Sequence, residues 1–153
     1  MIHPTSVIEH SAVIGNGTKV WHFCHISEGV VVGDNCVIGD YVYVGKGVII
    51  GAGSKIQNKA EINEGVTIGE EVFIGPGVIF TNVKKPRAYR KADKYVPTIV
   101  GSRATIGAGA IILCGIIIGE NSFIGAGSVV VKDVPIGTLV FGNPARVVGP
   151  VED

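Results

Sequence analysis

Aliphatic side chains recur at every sixth position along most of this chain. The series starts at Ile2 and reaches Ile74 with only Ile or Val, and Phe80 takes the next place. After one interruption the same step of six resumes out of phase and runs from Val100 to Ile136. We call these residues anchors. A six-residue period drifts around a helix of about 3.6 residues per turn and leaves no steady apolar face, so the pattern excludes an amphipathic helix.

Two further positions repeat together with the anchors. The fourth residue after an anchor is small or β-branched, as at Ala12, Thr18 and Ser54, and the residue directly after an anchor is often glycine. If the small residue and the next anchor both point inward, each six-residue unit contains a short strand. The Gly-x-x sequence that follows must then turn the chain, and we expect the glycine after the anchor to use its access to positive φ.

Units of this size cannot bury their own apolar side, so they must wind into a solenoid. Three units per coil form a triangular prism whose coils lie about 4.8 Å apart. Fourteen anchors precede the interruption and seven follow it, which makes seven coils if the interruption belongs to the fourteenth unit. We therefore predict an all-β fold, a parallel β-helix of about seven triangular coils with one inserted loop at residues 83–98. Residues 1–149 form a single domain and residues 150–153 a short tail, and the period leaves the handedness open.

Several outward positions of the predicted prism are apolar. They are Val31, Val37, Phe73, Ile111, Ile117 and Phe123. Flat faces with such side chains need to be covered, so the pattern predicts association with further copies of the chain.

Composition narrows the function classes. Basic and acidic residues balance at 13 each, so no global field favours nucleic acid or a membrane surface as a partner. The three cysteines show no CxxC spacing, and no apolar run approaches about 18 residues. These features favour a protein of the reducing cytoplasm that has neither a disulfide framework nor a zinc site.

Residues 18 positions apart lie above one another in such a prism, and one predicted corner gathers unusual side chains. His22, Asp40 and Asn58 share this corner, with Trp21 and Gln57 in the next column. On the neighbouring face, His25 is in line with Tyr43 and Glu61. These residues are either hydrogen-bonded corner residues and subunit contacts, or a substrate-binding wall. In the second case Trp21 or Tyr43 offers a ring face, and Asp40, Gln57 and Asn58 bind hydroxyls or ring edges.

The interruption carries a second candidate site. Thr81 and Asn82 lie where the loop leaves the prism, and binding groups are often placed on irregular segments of rigid scaffolds. The loop contains six basic residues and one acidic residue, Asp93. Arg87 and its basic neighbours are suited to phosphates, which arginine can bind through two hydrogen bonds. The alternative is a solvated loop without a ligand.

The repeat resembles the left-handed β-helix of the hexapeptide-repeat acyltransferase superfamily, and residues 140–149 (VFGNPARVVG) resemble the segment that closes many of these enzymes. Four segments resemble the sugar-nucleotide N-acetyltransferases: residues 19–26 (KVWHFCHI), 55–58 (KIQN), 80–88 (FTNVKKPRA) and 112–119 (ILCGIIIG). The resemblance is strongest to enzymes that acetylate UDP-2-acetamido-3-amino-2,3-dideoxy-glucuronate for bacterial surface polysaccharides. A related group acts on dTDP-3-amino-3,6-dideoxyhexoses. Residues 61–65 (EINEG) depart from the first group, which tends to carry a tyrosine in this turn.

This resemblance implies a homotrimer with active sites between subunits and acetyl-CoA as co-substrate. It implies that the Asn82 amide oxygen holds the amino group of the sugar, and His22 is a candidate base if another subunit brings it to Asn82. In this superfamily CoA lies along the C-terminal coils, where the corners Gly107, Ala108, Gly125 and Ala126 are small and Lys132 and Arg146 are available for its phosphates.

Three other functions are disfavoured. The γ-type carbonic anhydrases share the prism but need a third histidine in the central coils, and no histidine follows His25, so we expect no metal. A non-catalytic trimerising scaffold leaves the loop after Asn82 unexplained. No glycine-rich βα domain precedes the repeats, which disfavours a nucleotidyltransferase fusion.

Overall fold

Every regular element of the protein is a β-strand. The computed structural model describes residues 1–153. It contains no helix long and apolar enough to cross a membrane. In chain order the strands are β1 Val7–Ile8, β2 Val13–Ile14, β3 Lys19–Val20, β4 His25–Ile26, β5 Val31–Val32, β6 Val37–Ile38, β7 Tyr43–Val44, β8 Ile49–Ile50, β9 Lys55–Ile56, β10 Glu61–Ile62, β11 Val66–Ile68, β12 Phe73–Ile74, β13 Ile79–Phe80, β14 Thr98–Val100, β15 Thr105–Ile106, β16 Ile111–Ile112, β17 Ile117–Ile118, β18 Phe123–Ile124, β19 Val129–Val130, β20 Thr138–Gly142 and β21 Ala145–Pro150.

The strands form three sheets, which are the faces of a solenoid of about seven turns. Every third strand joins the same sheet. The seven-strand sheet consists of β1, β4, β7, β10, β13, β16 and β19, and the six-strand sheet of β2, β5, β8, β11, β14 and β17. The eight-strand sheet consists of β3, β6, β9, β12, β15 and β18, followed by β20 and β21. All pairs are parallel except β20 with β21. The all-β solenoid predicted from the six-residue period is confirmed.

The chain turns between sheets at three edges, which we name by the sheets they join. Edge one leads from the eight-strand to the seven-strand sheet, edge two from the seven-strand to the six-strand sheet, and edge three from the six-strand to the eight-strand sheet. His22 lies on edge one and Asn82 on edge two.

The core consists of the anchors from Val20 to Val130 together with the inward residues between them, in one cluster of 31 buried residues. At the N-terminal end of the solenoid, Ile8 and Ile14 are partly buried and Ile2 is 44% exposed. Hydroxyl groups at inward positions satisfy backbone groups of the next coil. The Ser54 hydroxyl, for example, donates to the Gly69 carbonyl at 3.0 Å and accepts from the Val72 N–H at 3.1 Å. This explains how buried Ser and Thr are tolerated among aliphatic neighbours.

One predicted anchor is wrong. Ile136 is 72% exposed, and Val134 and Val140 take the inward places after Val130. Phe123 pairs with Leu139, so this last coil is two residues shorter than the others and the step of six fails there.

The glycines that follow the anchors have a different role from the predicted one. Positive φ occurs at the third residue after most anchors, as in Gly47 at 69°, and not at the glycine directly after these anchors. That first glycine lies against the next coil: a β-carbon on Gly33 would be 2.6 Å from the Ala52 nitrogen. The position needs glycine because the backbones approach closely there.

The interruption is an insertion into an otherwise intact solenoid. Partners in adjacent coils are usually 18 residues apart, but across the break they are 32 apart, as for Glu70 and Ser102. The Asn82 carbonyl accepts from the Val96 N–H at 2.9 Å, which closes the base of the loop. Strand β14 begins at the buried Thr98, so the loop ends one residue earlier than predicted.

The solenoid ends in an antiparallel hairpin. Strand β20 continues the eight-strand sheet beside β18, and β21 folds back on β20 through Pro150. The Val151 N–H then donates to the Gly137 carbonyl at 2.8 Å. Pro150 and Val151, the first two residues of the predicted tail, are therefore held against the hairpin.

Candidate functional site

The predicted stack of polar residues on edge one is present. The Asp40 Oδ1 atom accepts from the His22 backbone N–H at 2.9 Å and is 3.0 Å from His22 Nδ1. The Asn58 Oδ1 atom accepts from the Asp40 backbone N–H at 2.9 Å. Each side chain thus satisfies a backbone group of the preceding coil, as expected for hydrogen-bonded corner residues.

Asp40 determines how His22 presents its ring. Hydrogen bonds from the His22 backbone N–H and then from its ring lower the pKa of the Asp40 carboxyl. An ionised carboxylate is only an acceptor, so His22 Nδ1 carries a hydrogen and donates a hydrogen bond to Asp40. In the neutral ring, Nε2 is then left with a lone pair, which is the arrangement required of a general base.

The Asp40→Asn substitution is expected to remove part of the acid sensitivity of folding. The folded-state pKa of Asp40 lies below its ordinary value of 3.8, so the ionised carboxylate stabilises the fold above that value. This contribution is lost as the pH falls through the lowered pKa. In urea unfolding, the stability of the native chain should fall more between about pH 6 and about pH 3 than that of the variant. Equal losses in both proteins contradict this role of Asp40.

The rest of the predicted wall lies near this stack but is less connected to it. The Trp21 ring is 38% exposed and lies 6.1 Å from the His22 ring. Gln57 is half-buried two coils further along the same column. Tyr43 belongs to the seven-strand sheet, where its ring meets that of His25 edge-on at 5.5 Å.

Three residues of this region were missed by the sequence analysis. Glu9 binds His25, with 2.6 Å between Oε1 and Nε2, and this hydrogen bond is the main cause of the lowered pKa of Glu9. Phe23 and Tyr41 stack on edge one with 5.1 Å between ring centroids. A signal was available, because aromatic residues fill a turn position in two successive coils.

Asn82 lies at the start of the inserted loop on edge two. Its Nδ2 atom donates to the Glu64 carbonyl at 3.1 Å, which fixes the amide plane. The amide oxygen has no hydrogen-bond partner within the chain. This oxygen is therefore available to accept from an N–H group of a ligand.

The loop lines an open basic cavity of about 550 Å³ next to Asn82. Its lining includes six cationic side chains, and none of them has an ion pair within the chain. These residues are Lys84, Lys85, Arg87, Arg90, Lys91 and Lys94. Asp93 is the one carboxylate in the lining, so the cavity is suited to an anion.

Two further cavities adjoin this region. Thr81 lines one of about 410 Å³ together with Lys84 and Lys132, and its hydroxyl accepts from the Cys114 N–H at 3.1 Å. Lys132 also lines a smaller cavity of about 120 Å³ with Arg146. The two cations predicted to meet CoA phosphates are therefore neighbours.

The small corner residues that were predicted to border CoA lie on edge one. A β-carbon on Gly107 would be 2.5 Å from the Ala126 nitrogen, and the ring of Phe141 lies against Gly125. The Gly127 N–H donates to the Ala108 carbonyl at 2.8 Å. Their small size is thus explained by packing between coils, and a cofactor role remains a prediction.

His22 and Asn82 are not brought together within one chain. They lie on different edges of the prism, with the seven-strand sheet between them. They can act on one substrate only if different subunits supply them.

Comparisons with known proteins agree with the repeat pattern. A family profile described as bacterial transferase hexapeptide (six repeats) matches residues 11–46, 29–64, 47–82 and 97–132. A protein from Aneurinibacillus thermoaerophilus named dTDP-3-amino-3,6-dideoxy-alpha-D-galactopyranose 3-N-acetyltransferase is 42% identical over 148 residues, which are 97% of this chain and 77% of that protein.

Solved structures show the same architecture. The structure of PerB from Caulobacter crescentus in complex with CoA and GDP-perosamine superposes with a TM-score of 0.61 at 26% identity, over 97% of this chain and 56% of that chain. The hexapeptide-repeat containing acetyltransferase VCA0836 from Vibrio cholerae has a TM-score of 0.65 at 26% identity, over 92% and 74% of the two chains. This chain thus spans little more than half the length of PerB.

Proposed function

Since the chain belongs to the bacterial hexapeptide-repeat transferase family, we propose that it transfers the acetyl group of acetyl-CoA to the 3-amino group of a nucleotide-linked sugar. The relative at 42% identity is named for a 3-N-acetyl transfer to a dTDP-linked amino sugar, and PerB was solved with CoA and a GDP-linked sugar. The observation that carries the proposal is the free amide oxygen of Asn82 at the basic cavity. An amine and a diphosphate on one substrate fit this arrangement.

The nucleotide sugar has two candidates. The first is UDP-2-acetamido-3-amino-2,3-dideoxy-glucuronate, used for bacterial surface polysaccharides, because its carboxylate adds to the charge of the diphosphate and the cavity offers six cations. The second is a dTDP-3-amino-3,6-dideoxyhexose, which the name of the relative from Aneurinibacillus favours. Arg87 and its neighbours would bind the diphosphate of either, with Thr81 beside it.

The main requirement of this reaction is that the sugar amine and the thioester are held in a reactive orientation. The Asn82 oxygen accepts an N–H of the neutral amine and directs its lone pair at the thioester carbonyl carbon. The C–N bond forms, backbone N–H groups stabilise the oxyanion, and the C–S bond breaks with CoA leaving as the thiolate. The proton of the nitrogen passes to this thiolate or to Nε2 of His22, so the products are an acetamido sugar and free CoA.

In this proposal the protein is a homotrimer, and edge one of one subunit forms a shared site with edge two of its neighbour. The outward residues of the six-strand sheet are aliphatic apart from Thr67, and five of them are 43–56% exposed: Val13, Val31, Ile49, Ile99 and Ile117. A largely aliphatic stripe of this kind is suited to contact with another copy. For both edges to reach one site, this sheet of one subunit must contact edge one of its neighbour. Across that contact, Asn82 would face Trp21, Asp40, Gln57 and Asn58 of the neighbour.

Acetyl-CoA would lie along the C-terminal coils. Lys132 and Arg146 share a cavity there and have the charge to bind its phosphates. Gly107, Ala108, Gly125 and Ala126 would border the pantetheine.

A panel of nucleotide sugars tests this function. The protein is incubated with acetyl-CoA and either the UDP-linked 3-amino uronate, a dTDP-3-amino-3,6-dideoxyhexose or the matching 3-hydroxy sugars, and release of free thiol is followed. We expect turnover with a 3-amino sugar and none with the 3-hydroxy controls. Faster turnover of the dTDP sugar would select the second candidate. Absence of thiol release with every amine contradicts the proposal and favours a scaffold.

A further inference from the structure

Two exposed aromatic residues occupy strained turn positions on edge one. Phe23 and Tyr41 are each the third residue after an anchor, with φ of 55° and 58°. At every other corner with positive φ this position holds glycine or a polar residue. A bulky side chain at positive φ is a genuine outlier, and such strain is retained mainly where the side chain is used.

The two rings form a fixed and open surface. Their centroids are 5.1 Å apart and their planes differ by 22°. Phe23 is 52% and Tyr41 57% exposed, so neither ring serves the core. The Phe23 N–H donates to Thr5 Oγ1 at 3.0 Å and the Tyr41 N–H to the His22 carbonyl at 2.9 Å, which holds both backbones in place.

The surroundings of the pair are polar on one side and open on the other. The His22 ring is 6.2 Å from the Phe23 ring, with Asp40 bound to it. Lys59 occupies the equivalent position in the next coil and adds an exposed cation. Beyond it, a β-carbon on Gly77 or Gly109 would meet nothing within 4 Å. A flat aromatic ligand with an anionic extension has room along this edge.

We propose that Phe23 and Tyr41 form the stacking surface for the base of a nucleoside diphosphate. This inference rests on the proposed function, in which the substrate is a nucleotide sugar. Because the two rings stack on each other, the base would lie against an outer face of the pair. Every base has a π-face, so this contact binds uracil or thymine without distinguishing them. In the proposed trimer the base would lie on edge one of one subunit, and the diphosphate would reach the basic loop of its neighbour.

Both the sugar nucleotide and CoA contain a nucleoside diphosphate. The position of the aromatic pair along the solenoid favours the sugar nucleotide as its ligand. The pair lies in the second and third coils, whereas Lys132 and Arg146 lie at the C-terminal end of the solenoid. We therefore assign the base of the sugar nucleotide to this surface.

Glycine substitutions test the assignment, because glycine relieves the backbone strain while it removes the ring. For Phe23→Gly and Tyr41→Gly we expect KM for the sugar nucleotide to rise about 10-fold each, the loss typical of one base stack. Calorimetry should show the same weakening for UDP or dTDP alone, while KM for acetyl-CoA is unchanged. Tyr41→Phe should retain binding.

A matched control is Glu71→Gly, which changes a residue at φ of 53° on edge three. This substitution should leave KM for the sugar nucleotide and KM for acetyl-CoA unchanged. Unaltered UDP and dTDP binding in the two ring variants would overturn the assignment, as would weaker CoA binding in their place. Loss of the trimer in light scattering would identify the pair as a subunit contact instead. Because nucleotide binding is measured without turnover, failure of the proposed reaction is distinguished from failure of this surface.

Discussion

Replacing Asn82 with alanine is expected to lower kcat by about 100-fold or more, the effect of losing the orientation of a reacting group. The amide is held through Nδ2 by the Glu64 carbonyl at 3.1 Å, so its oxygen has a fixed direction. Alanine removes the acceptor that would align the amine with the thioester. Steady-state kinetics with the best substrate of the panel measure the change, and KM for acetyl-CoA should move little.

The control for this substitution is Asn63→Ala. Asn63 also lies on edge two, and its Nδ2 donates to the Phe80 carbonyl at 2.8 Å, but it does not line the basic cavity. Its loss should cost about 1 kcal/mol of stability and leave kcat intact. An Asn82→Ala enzyme with native kcat would refute the role of the amide even if the substrate is right.

The second large effect is on folding. The Gly33→Ala substitution should reduce the free energy of unfolding by about 3 kcal/mol, because overpacking a fixed backbone contact forces the coils apart. A β-carbon there would lie 2.6 Å from the Ala52 nitrogen and 2.8 Å from its Cα atom. Urea or thermal unfolding gives the value directly.

Gly47→Ala is the matched comparison. Gly47 has φ of 69°, and a β-carbon on it would have no neighbour within 4 Å. Only conformational strain of about 1–2 kcal/mol is expected. If Gly47→Ala proved the more damaging of the two, close approach of the coils would not be the reason for glycine after the anchors.

The fold was predictable because every unit repeats the same burial requirement. An inward side chain at each sixth position fixes both the strands and their stacking, and Phe80 fits this rule although it is aromatic. The rule fails at Ile136, where the coil is two residues short and the following strand belongs to a hairpin. A period in sequence does not contain the information that a coil has been shortened.

For the candidate site, the sequence predicted only which residues lie above one another in successive coils. The sequence placed Asp40 beside His22 and His22 apart from Asn82, but not which atoms are already engaged. Asp40 was predicted to bind substrate, and the structure commits its Oδ1 atom to His22. The recurrence of an aromatic residue at the same turn position pointed to Phe23 and Tyr41, but the strain of their backbones is visible only in the φ angles.

The closing hairpin also limits what can be added to the solenoid. Strand β21 runs against the direction of β20, and Pro150 at its end lacks an N–H. A further coil from another molecule would need to pair in parallel, as all other coils do. On this face a coil with the direction of the others would meet β21 antiparallel and would lack one backbone donor at Pro150, which disfavours end-to-end growth of the parallel stack into a fibre.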